Sequence, residues 1–223
     1  MLKSLFRIED KPGLPQSFGY KVAWLSLKTI DTEAVAEALG LKKVRRANWK
    51  TGLEEAYKQV RSRPDKCGLF ITPPLGAWTL VVGQGLCAWC ADEDLTSVIQ
   101  SKLSDLSRIF GEAQYFLTHR VVEMHVWARA INGNLIRGFA YLGDSGETPW
   151  NEGPQTEVEK RLGINFFDHS SPEAETDEYW KREDLTFPNE EYVMQVAEGW
   201  SISPVRIEEH FKEPGLGRLG WIA

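Results

Sequence analysis

The sequence predicts an α+β fold in which a mainly antiparallel sheet packs against helices, all within a single domain. Apolar and polar side chains alternate over 121–142 on both sides of an Asn-Gly pair, which is the pattern of a β-hairpin. Two short apolar runs at 67–72 and 78–83 have the length and composition of buried strands. Apolar side chains recur at helical spacing over 93–110, so a helix is expected to cover the sheet.

The first part of the chain alternates between predicted strands and helices. Residues 19–28 have the apolar content of a strand. A helix follows between Asp31, the expected N-cap, and Gly40, the expected C-cap. The short basic run 41–49 is predicted to be a strand, and the spacing of apolar residues over 51–63 indicates a second helix.

The middle of the chain contains the predicted central strands and the longest predicted helix. The runs 67–72 and 78–83 are separated by 73–76, where two prolines favour a turn. Asp92 is the expected N-cap of the helix at 93–110. The apolar stripe of this helix consists of Leu95, Val98, Ile99, Leu103, Leu106 and Ile109.

The hairpin is the strongest local signal in the sequence. Asn132 and Gly133 tolerate the positive φ angles of a type I′ turn, and a two-residue loop there places Trp127 opposite Gly138. Both hairpin strands carry apolar residues on both faces, so the sheet is expected to be covered on both sides. The strands assigned to this part of the sheet are 113–118, 121–130 and 135–142.

The last third of the chain has a different character. Residues 143–187 are predicted to be an acidic, loop-rich segment, interrupted by a short helix at 156–162. A further helix is expected within 188–200, and the glycine-rich run 215–220 is interpreted as a turn. No linker divides the chain, so 1–223 is treated as one domain.

Composition restricts the function classes. The chain has 223 residues and a formal net charge of −6, which argues against nucleic-acid binding because phosphate affinity needs clustered Lys and Arg. No run approaches the roughly 18 consecutive apolar residues of a membrane-spanning helix, and the N-terminus lacks the apolar core of a secretion signal. We therefore expect a cytoplasmic protein without membrane contact, and an acidic surface suited to a basic protein partner.

The first candidate site is one face of the predicted hairpin. If 119–130 were one strand, His119, Glu123, His125, Trp127 and Arg129 would point the same way. An enzyme pocket here could use His125 as an acid–base group or metal ligand, Glu123 as its assistant and Arg129 to hold an anionic substrate. The alternative is that these side chains are structural.

Cysteine chemistry and nucleotide binding are not favoured. Cys87 and Cys90 form a CxxC pair, but Cys67 is the only other cysteine and no paired histidines complete a zinc site. The sequence therefore predicts reduced, partly buried thiols, no metal and no cofactor. No nucleophile elbow or phosphate-binding loop is complete.

The second candidate site is the acidic segment 168–185. A charge run of this kind is usually a solvated loop. It can also be a recognition surface, because carboxylates steer a basic partner while Tyr and Trp supply contact area. The partner-binding residues predicted on the second interpretation are Asp168, Glu173, Glu175, Asp177, Glu178, Tyr179 and Trp180.

Three segments, 72–83, 110–130 and 139–147, resemble a family of uncharacterised bacterial proteins, and the resemblance implies no specific activity. In its acidic character and size the chain is also similar to the immunity proteins that neutralise interbacterial toxins. That second resemblance implies a protein that occludes a basic toxin. The leading hypothesis is therefore a bacterial immunity protein, and the alternative is a small-molecule enzyme with a pocket around His125 and Arg129.

Overall fold

One antiparallel sheet of nine strands organises the part of the chain that the structure describes, which is residues 11–58, 67–90 and 95–222 of a computed structural model. The order across the sheet is β2-β9-β3-β4-β1-β5-β6-β7-β8. The strands are β1 (Val22–Leu27), β2 (Lys42–Ala47), β3 (Gly68–Ile71), β4 (Thr79–Val82), β5 (Glu112–His119), β6 (Met124–Ile131), β7 (Asn134–Leu142), β8 (Glu147–Glu152) and β9 (Gly217–Trp221). The predicted α+β class is confirmed.

The α-helices of the described residues are α1 (Thr32–Ala38), α2 (Trp49–Ala56), α3 (Leu95–Phe110), α4 (Glu157–Arg161), α5 (Asp177–Trp180), α6 (Glu190–Trp200) and α7 (Ile207–His210). Short 3-10 helices span Gln84–Cys90, Pro172–Glu175 and Pro204–Arg206. The predicted cap Asp31 is confirmed, since its side chain accepts hydrogen bonds from two backbone amides of α1. The predicted cap Asp92 and the end of the helix expected over 51–63 lie outside the described residues.

Helices cover both faces of the sheet, as the hairpin pattern predicts. All six residues of β1 are buried, because alternate side chains enter two separate cores. Trp24 belongs to the core beneath α2 and α6, whereas Leu25 belongs to the core beneath α1 and α3. The first core also contains Trp127 and Phe139, so the faces of β6 and β7 that carry these rings are turned toward α6.

The hairpin turn is confirmed, but its predicted register is wrong. Asn132 and Gly133 have φ angles of 49° and 86°, as a type I′ turn requires. Trp127 lies opposite Phe139 rather than Gly138. Ala130 pairs with Leu135 and Arg129 with Arg137, so Ile136 is an extra residue in β7. This β-bulge shifts every later pair by one residue, and no local sequence pattern announces it.

Two strands were missed at the sequence level. The glycine-rich run near the C-terminus is not a turn: β9 pairs with both β2 and β3. Its glycines permit close packing, because a Cβ on Gly217 would lie 2.1 Å from the carbonyl oxygen of Ile71. In the region expected to be loop-rich, Glu147–Glu152 forms β8 and pairs with β7 at the edge of the sheet.

The predicted strand face from His119 to Arg129 also needs correction. His119 is the last residue of β5 and pairs with Met124, so it lies on a different strand from His125. Glu123 belongs to the intervening turn and has a φ of 43°. Of the five residues, only His125, Trp127 and Arg129 share a strand face.

A fully buried ion pair between Arg137 and Glu159 connects strand β7 to helix α4. The Arg137 and Glu159 side chains are both 0% exposed, and the Arg137 Nε donates to Glu159 Oε1 at 2.8 Å. The same oxygen accepts the indole N–H of Trp127 at 2.8 Å. The other carboxylate oxygen accepts the backbone N–H and the hydroxyl of Thr156, which caps α4. One carboxylate therefore joins β6, β7 and α4.

Replacing Glu159 by Gln should lower the free energy of unfolding by roughly 3–5 kcal/mol, because the variant leaves the buried Arg137 guanidinium without a counter-charge. Urea denaturation monitored by tryptophan fluorescence measures the effect. The matched control is Glu157→Gln on the same helix, whose carboxylate is 87% exposed and pairs with Lys160. The control should leave the free energy of unfolding nearly unchanged, because solvent screens an exposed ion pair. Equal stabilities for the two variants would contradict the role assigned to the buried pair.

Candidate functional site

An open cleft of about 660 Å³ lies where β6 begins and β7 ends, on the face of the sheet that packs against α6. The turn before β6 and the loop after β7 form two of its borders, and the start of α6 forms a third. The acidic segment 168–185 forms the remaining wall. The cleft is defined by Arg120, Glu123, His125, Tyr141, Gly143, Ser145, Gly146, His169, Trp180, Phe187, Pro188, Asn189 and Glu190.

His125 forms the floor of the cleft. It is 3% exposed, lies opposite Thr118 on β5 and Tyr141 on β7, and its Nδ1 is 3.3 Å from the Thr118 hydroxyl. Its Nε2 has no hydrogen-bond partner among the described residues. Burial lowers the pKa of His125 from an ordinary value of 6.5 to about 4, so the imidazole is neutral near pH 7.

Two carboxylates and one guanidinium set the charge of the cleft. Glu123 lies beside Tyr141, whose pKa is raised by burial and by the nearby Glu123 charge. At the start of α6, Glu190 Oε1 is 4.0 Å from the Arg120 guanidinium. The second oxygen of Glu190 is buried and has no hydrogen-bond partner in the described part of the chain. One cation therefore offsets only part of the negative charge.

An aromatic wall, composed of His169, Trp180 and Phe187, closes one side of the cleft. The His169 ring stacks on Phe187 at 4.6 Å and on Trp180 at 5.8 Å between centroids. His169 Nε2 is 3.2 Å from the Thr186 carbonyl, which can only accept, so this nitrogen carries the proton. In the neutral ring, Nδ1 then accepts from the Tyr179 hydroxyl at 2.7 Å. Both nitrogens are engaged, and the ring orientation is fixed.

The acidic segment is a folded structure rather than a solvated loop. Tyr179, predicted as a contact residue, is 5% exposed and holds His169 from behind, so it supports the wall instead of presenting a surface. Trp180 is 51% exposed, and its indole N–H donates to the Ala174 carbonyl at 2.7 Å. The carboxylates predicted to bind a partner are all exposed: Asp168, Glu173, Glu175, Asp177 and Glu178.

Arg129 does not join His125. Its Nε donates to Glu112 Oε1 at 2.7 Å, and its guanidinium lies over the Trp200 ring at 5.8 Å. It is four residues along β6 from His125, at about 3.3 Å per residue, and is not part of the cleft. The anion-holding role predicted for Arg129 therefore has no geometric basis at this site.

The three cysteines are free thiols, as the sequence predicts. Burial raises the pKa of Cys87 to about 11 and that of Cys90 to about 12, so neither is a thiolate near pH 7. Cys90 Sγ is 3.2 Å from the Tyr115 hydroxyl on the α3 side of the sheet. These thiols lie on the opposite face from the cleft.

Sequence analysis missed four important cleft residues: Arg120, His169, Phe187 and Glu190. They come from three parts of the chain that meet only when it folds: Arg120 follows β5, His169 lies in the acidic segment, and Phe187 and Glu190 lie just before and at the start of α6. The signal available for His169 was its aromatic surroundings, since Phe166 and Phe167 precede it and Tyr179, Trp180 and Phe187 follow it within 20 positions. For Arg120 and Glu190 no local signal distinguishes them from ordinary surface charges.

A comparison of the chain with models of known protein families, with curated proteins and with solved structures finds no match in any of the three. Among the described residues, every helix is too short or too polar to cross a membrane. The geometry of the cleft is therefore the basis for a functional proposal.

The depressed pKa of His125 predicts a specific acid sensitivity. Between pH 6.5 and about 4 the unfolded chain binds a proton that the folded chain excludes, so stability falls as the pH falls through this window. The expected loss is up to roughly 3 kcal/mol across the window. Urea unfolding at several pH values should show this slope in the wild type and a shallower slope in a His125→Gln variant. Identical slopes would contradict the assignment to His125.

Proposed function

We propose that this chain is a binding protein whose cleft and acidic segment together hold a basic protein partner. The observation that carries the proposal is that one stretch of the chain, residues 168–187, provides both the exposed carboxylates and the aromatic wall of the cleft. The most concrete form of this function is an immunity protein that occludes a toxin. A bacterial origin and a cytoplasmic location belong to the same proposal.

Exposed apolar side chains around the cleft support a protein interface. Two of the ten large apolar side chains that are exposed in the described part of the chain line the cleft, Trp180 at 51% and Phe187 at 50%. Val121 and Val122, with exposures of 65% and 44%, lie in the turn between the cleft residues Arg120 and Glu123. Exposed apolar groups clustered beside polar ones are typical of interface hot spots.

The charge pattern supports a basic partner. Glu173, Glu175, Asp177 and Glu178 are exposed on the short helices that precede Trp180. Exposed carboxylates of this kind contribute little to folding stability, but they accelerate association with a positively charged surface. An aromatic centre with a carboxylate rim therefore combines contact area with electrostatic steering.

An enzyme remains a second candidate because His125, Glu123 and Tyr141 do converge on the cleft. Its support is weaker, since Arg129 is engaged with Glu112 and His125 has a pKa of about 4. A general base is most effective when its pKa is near the working pH.

Truncation of the aromatic rim tests the binding function. The partner is captured from the source cells on the immobilised chain, identified by mass spectrometry and titrated as a purified protein by calorimetry. Trp180→Ala and Phe187→Ala should each weaken binding by roughly 30-fold or more, the effect of a hot-spot residue. Ile109→Ala, which removes a 61% exposed side chain from α3 on the opposite face, is the matched control and should leave the affinity unchanged.

Joint replacement of Glu175, Asp177 and Glu178 by the corresponding amides should slow association and reduce its dependence on salt, with little change in dissociation. All variants should keep the melting temperature within a few degrees of the wild type. A captured partner whose affinity is unaffected by the Trp180 and Phe187 substitutions would contradict the proposal.

A further inference from the structure

We propose that the cleft binds the guanidinium group of an arginine side chain on the partner, an inference that rests on the proposed binding function. The guanidinium would stack on the aromatic wall and donate to the carboxylates of Glu123 and Glu190. Three features of the cleft support this ligand. The aromatic rings of the wall are held in a fixed orientation, the carboxylates beside them lack hydrogen-bond donors, and Arg120 lies where it would compete with an incoming arginine.

The aromatic wall is a stack of rings that is held in place before a ligand arrives, and its two outer members, Trp180 and Phe187, are half exposed. His169 is fixed through both ring nitrogens, and the neighbouring rings stack nearly parallel to it, with interplanar angles of 27° for Trp180 and 23° for Phe187. A guanidinium is planar and weakly hydrated, so it stacks on aromatic faces more readily than an ammonium group does.

The acceptors beside the wall lack donors. Glu190 Oε2 is buried and has no hydrogen-bond partner among the described residues, although an unpaired buried carboxylate oxygen is costly. Glu123 adds a second carboxylate. A guanidinium carries five N–H donors and could satisfy several of these acceptors together.

The position of Arg120 shows that a guanidinium can lie close to the Glu190 carboxylate. It is 60% exposed and its Nη1 lies 4.0 Å from Glu190 Oε1, too far for a hydrogen bond. An incoming arginine would therefore compete with Arg120 for the same carboxylate. A site for an anion would use Arg120 in the opposite sense, as the attracting group, so the two possibilities predict opposite effects when Arg120 is removed.

A second cavity indicates that the arginine belongs to a polypeptide. This cavity, of about 540 Å³, follows α6 and shares Asn189 and Glu190 with the cleft. Glu191 and Met194 line it on α6, and Tyr20 lies across from them. The two cavities adjoin at Asn189 and Glu190, so the residues that flank the arginine in an extended segment would lie in this second cavity.

The test uses N-acetyl-arginine N-methylamide as the probe and follows the indole N–H resonance of Trp180 by NMR. N-acetyl-citrulline N-methylamide is the matched ligand control, because it has nearly the same shape without the charge. The arginine probe should shift the resonance at saturable concentrations, and the citrulline and lysine analogues should bind at least several-fold more weakly. Increasing salt should weaken the binding of the arginine probe.

Three variants separate the possible ligands. Glu190→Gln and Glu123→Gln should each weaken the binding of the arginine probe by roughly tenfold, the effect of losing a charge-assisted hydrogen bond. Arg120→Gln should strengthen it several-fold by removing the competing cation. Glu33→Gln, on α1 at the opposite face, is the matched control with a 72% exposed carboxylate and should have no effect.

The inference is overturned if the citrulline or lysine analogue binds as tightly as the arginine probe. It is also overturned if Arg120→Gln weakens binding and inorganic phosphate shifts the Trp180 resonance, since the cleft would then be an anion site. If the arginine probe does not bind but Trp180→Ala still disrupts the partner complex, the arginine assignment is wrong and the proposed binding function is retained. If the probe does not bind and Trp180→Ala has no effect on the partner complex, both proposals are wrong.

Discussion

The buried ion pair of Arg137 and Glu159 is the interaction on which the architecture around the cleft depends. Removing two charges from water costs more than their attraction returns, unless further hydrogen bonds satisfy the remaining donors and acceptors. Arg137 Nη1 donates to the Asn151 side chain at 2.8 Å and to the Glu152 carbonyl at 3.0 Å, while Glu159 accepts from Trp127. Arg137 Nη2 is buried and has no acceptor among the described residues, so the donors are satisfied only in part. Because apolar side chains of similar volume could supply equal stability, we attribute to this pair the fixed relative position of β6, β7, β8 and α4.

A short series of contacts connects Arg137 to the aromatic wall of the cleft and fixes the orientation of that wall. The Arg137 guanidinium lies over the Phe166 ring at 4.6 Å, so it holds the chain that follows α4 against the sheet. The next link is Asn165, whose backbone N–H donates to the Thr186 hydroxyl at 2.9 Å. The Thr186 carbonyl accepts from His169, and His169 stacks on both exposed rings of the aromatic wall. The orientation of the wall is thus a consequence of packing that begins in the core.

The sequence predicted the elements whose signals are local. The Asn132-Gly133 turn, helix α3 and the cap of α1 each depend on residues a few positions apart, and each was confirmed. Of the predicted α3 stripe, Ile99, Leu103 and Leu106 are buried, whereas Ile109 is 61% exposed. The bulge at Ile136 and the insertion of β9 between β2 and β3 were missed, because they depend on pairing between distant segments. The same limit applied to the cleft: periodicity identified His125 and composition identified Trp180, but only tertiary structure brings them to one site.

The states of the two cleft histidines favour recognition over catalysis. A histidine that shuttles protons needs a pKa near the working pH and a nitrogen free to exchange its proton. Burial keeps His125 neutral down to about pH 4, and His169 has both nitrogens committed to Tyr179 and Thr186. Near pH 7 the neutral His125 adds no positive charge beside the carboxylates of Glu123 and Glu190, which border the same cleft. A fixed aromatic wall beside two carboxylates is an arrangement suited to a cationic side chain, which supports the proposed binding function.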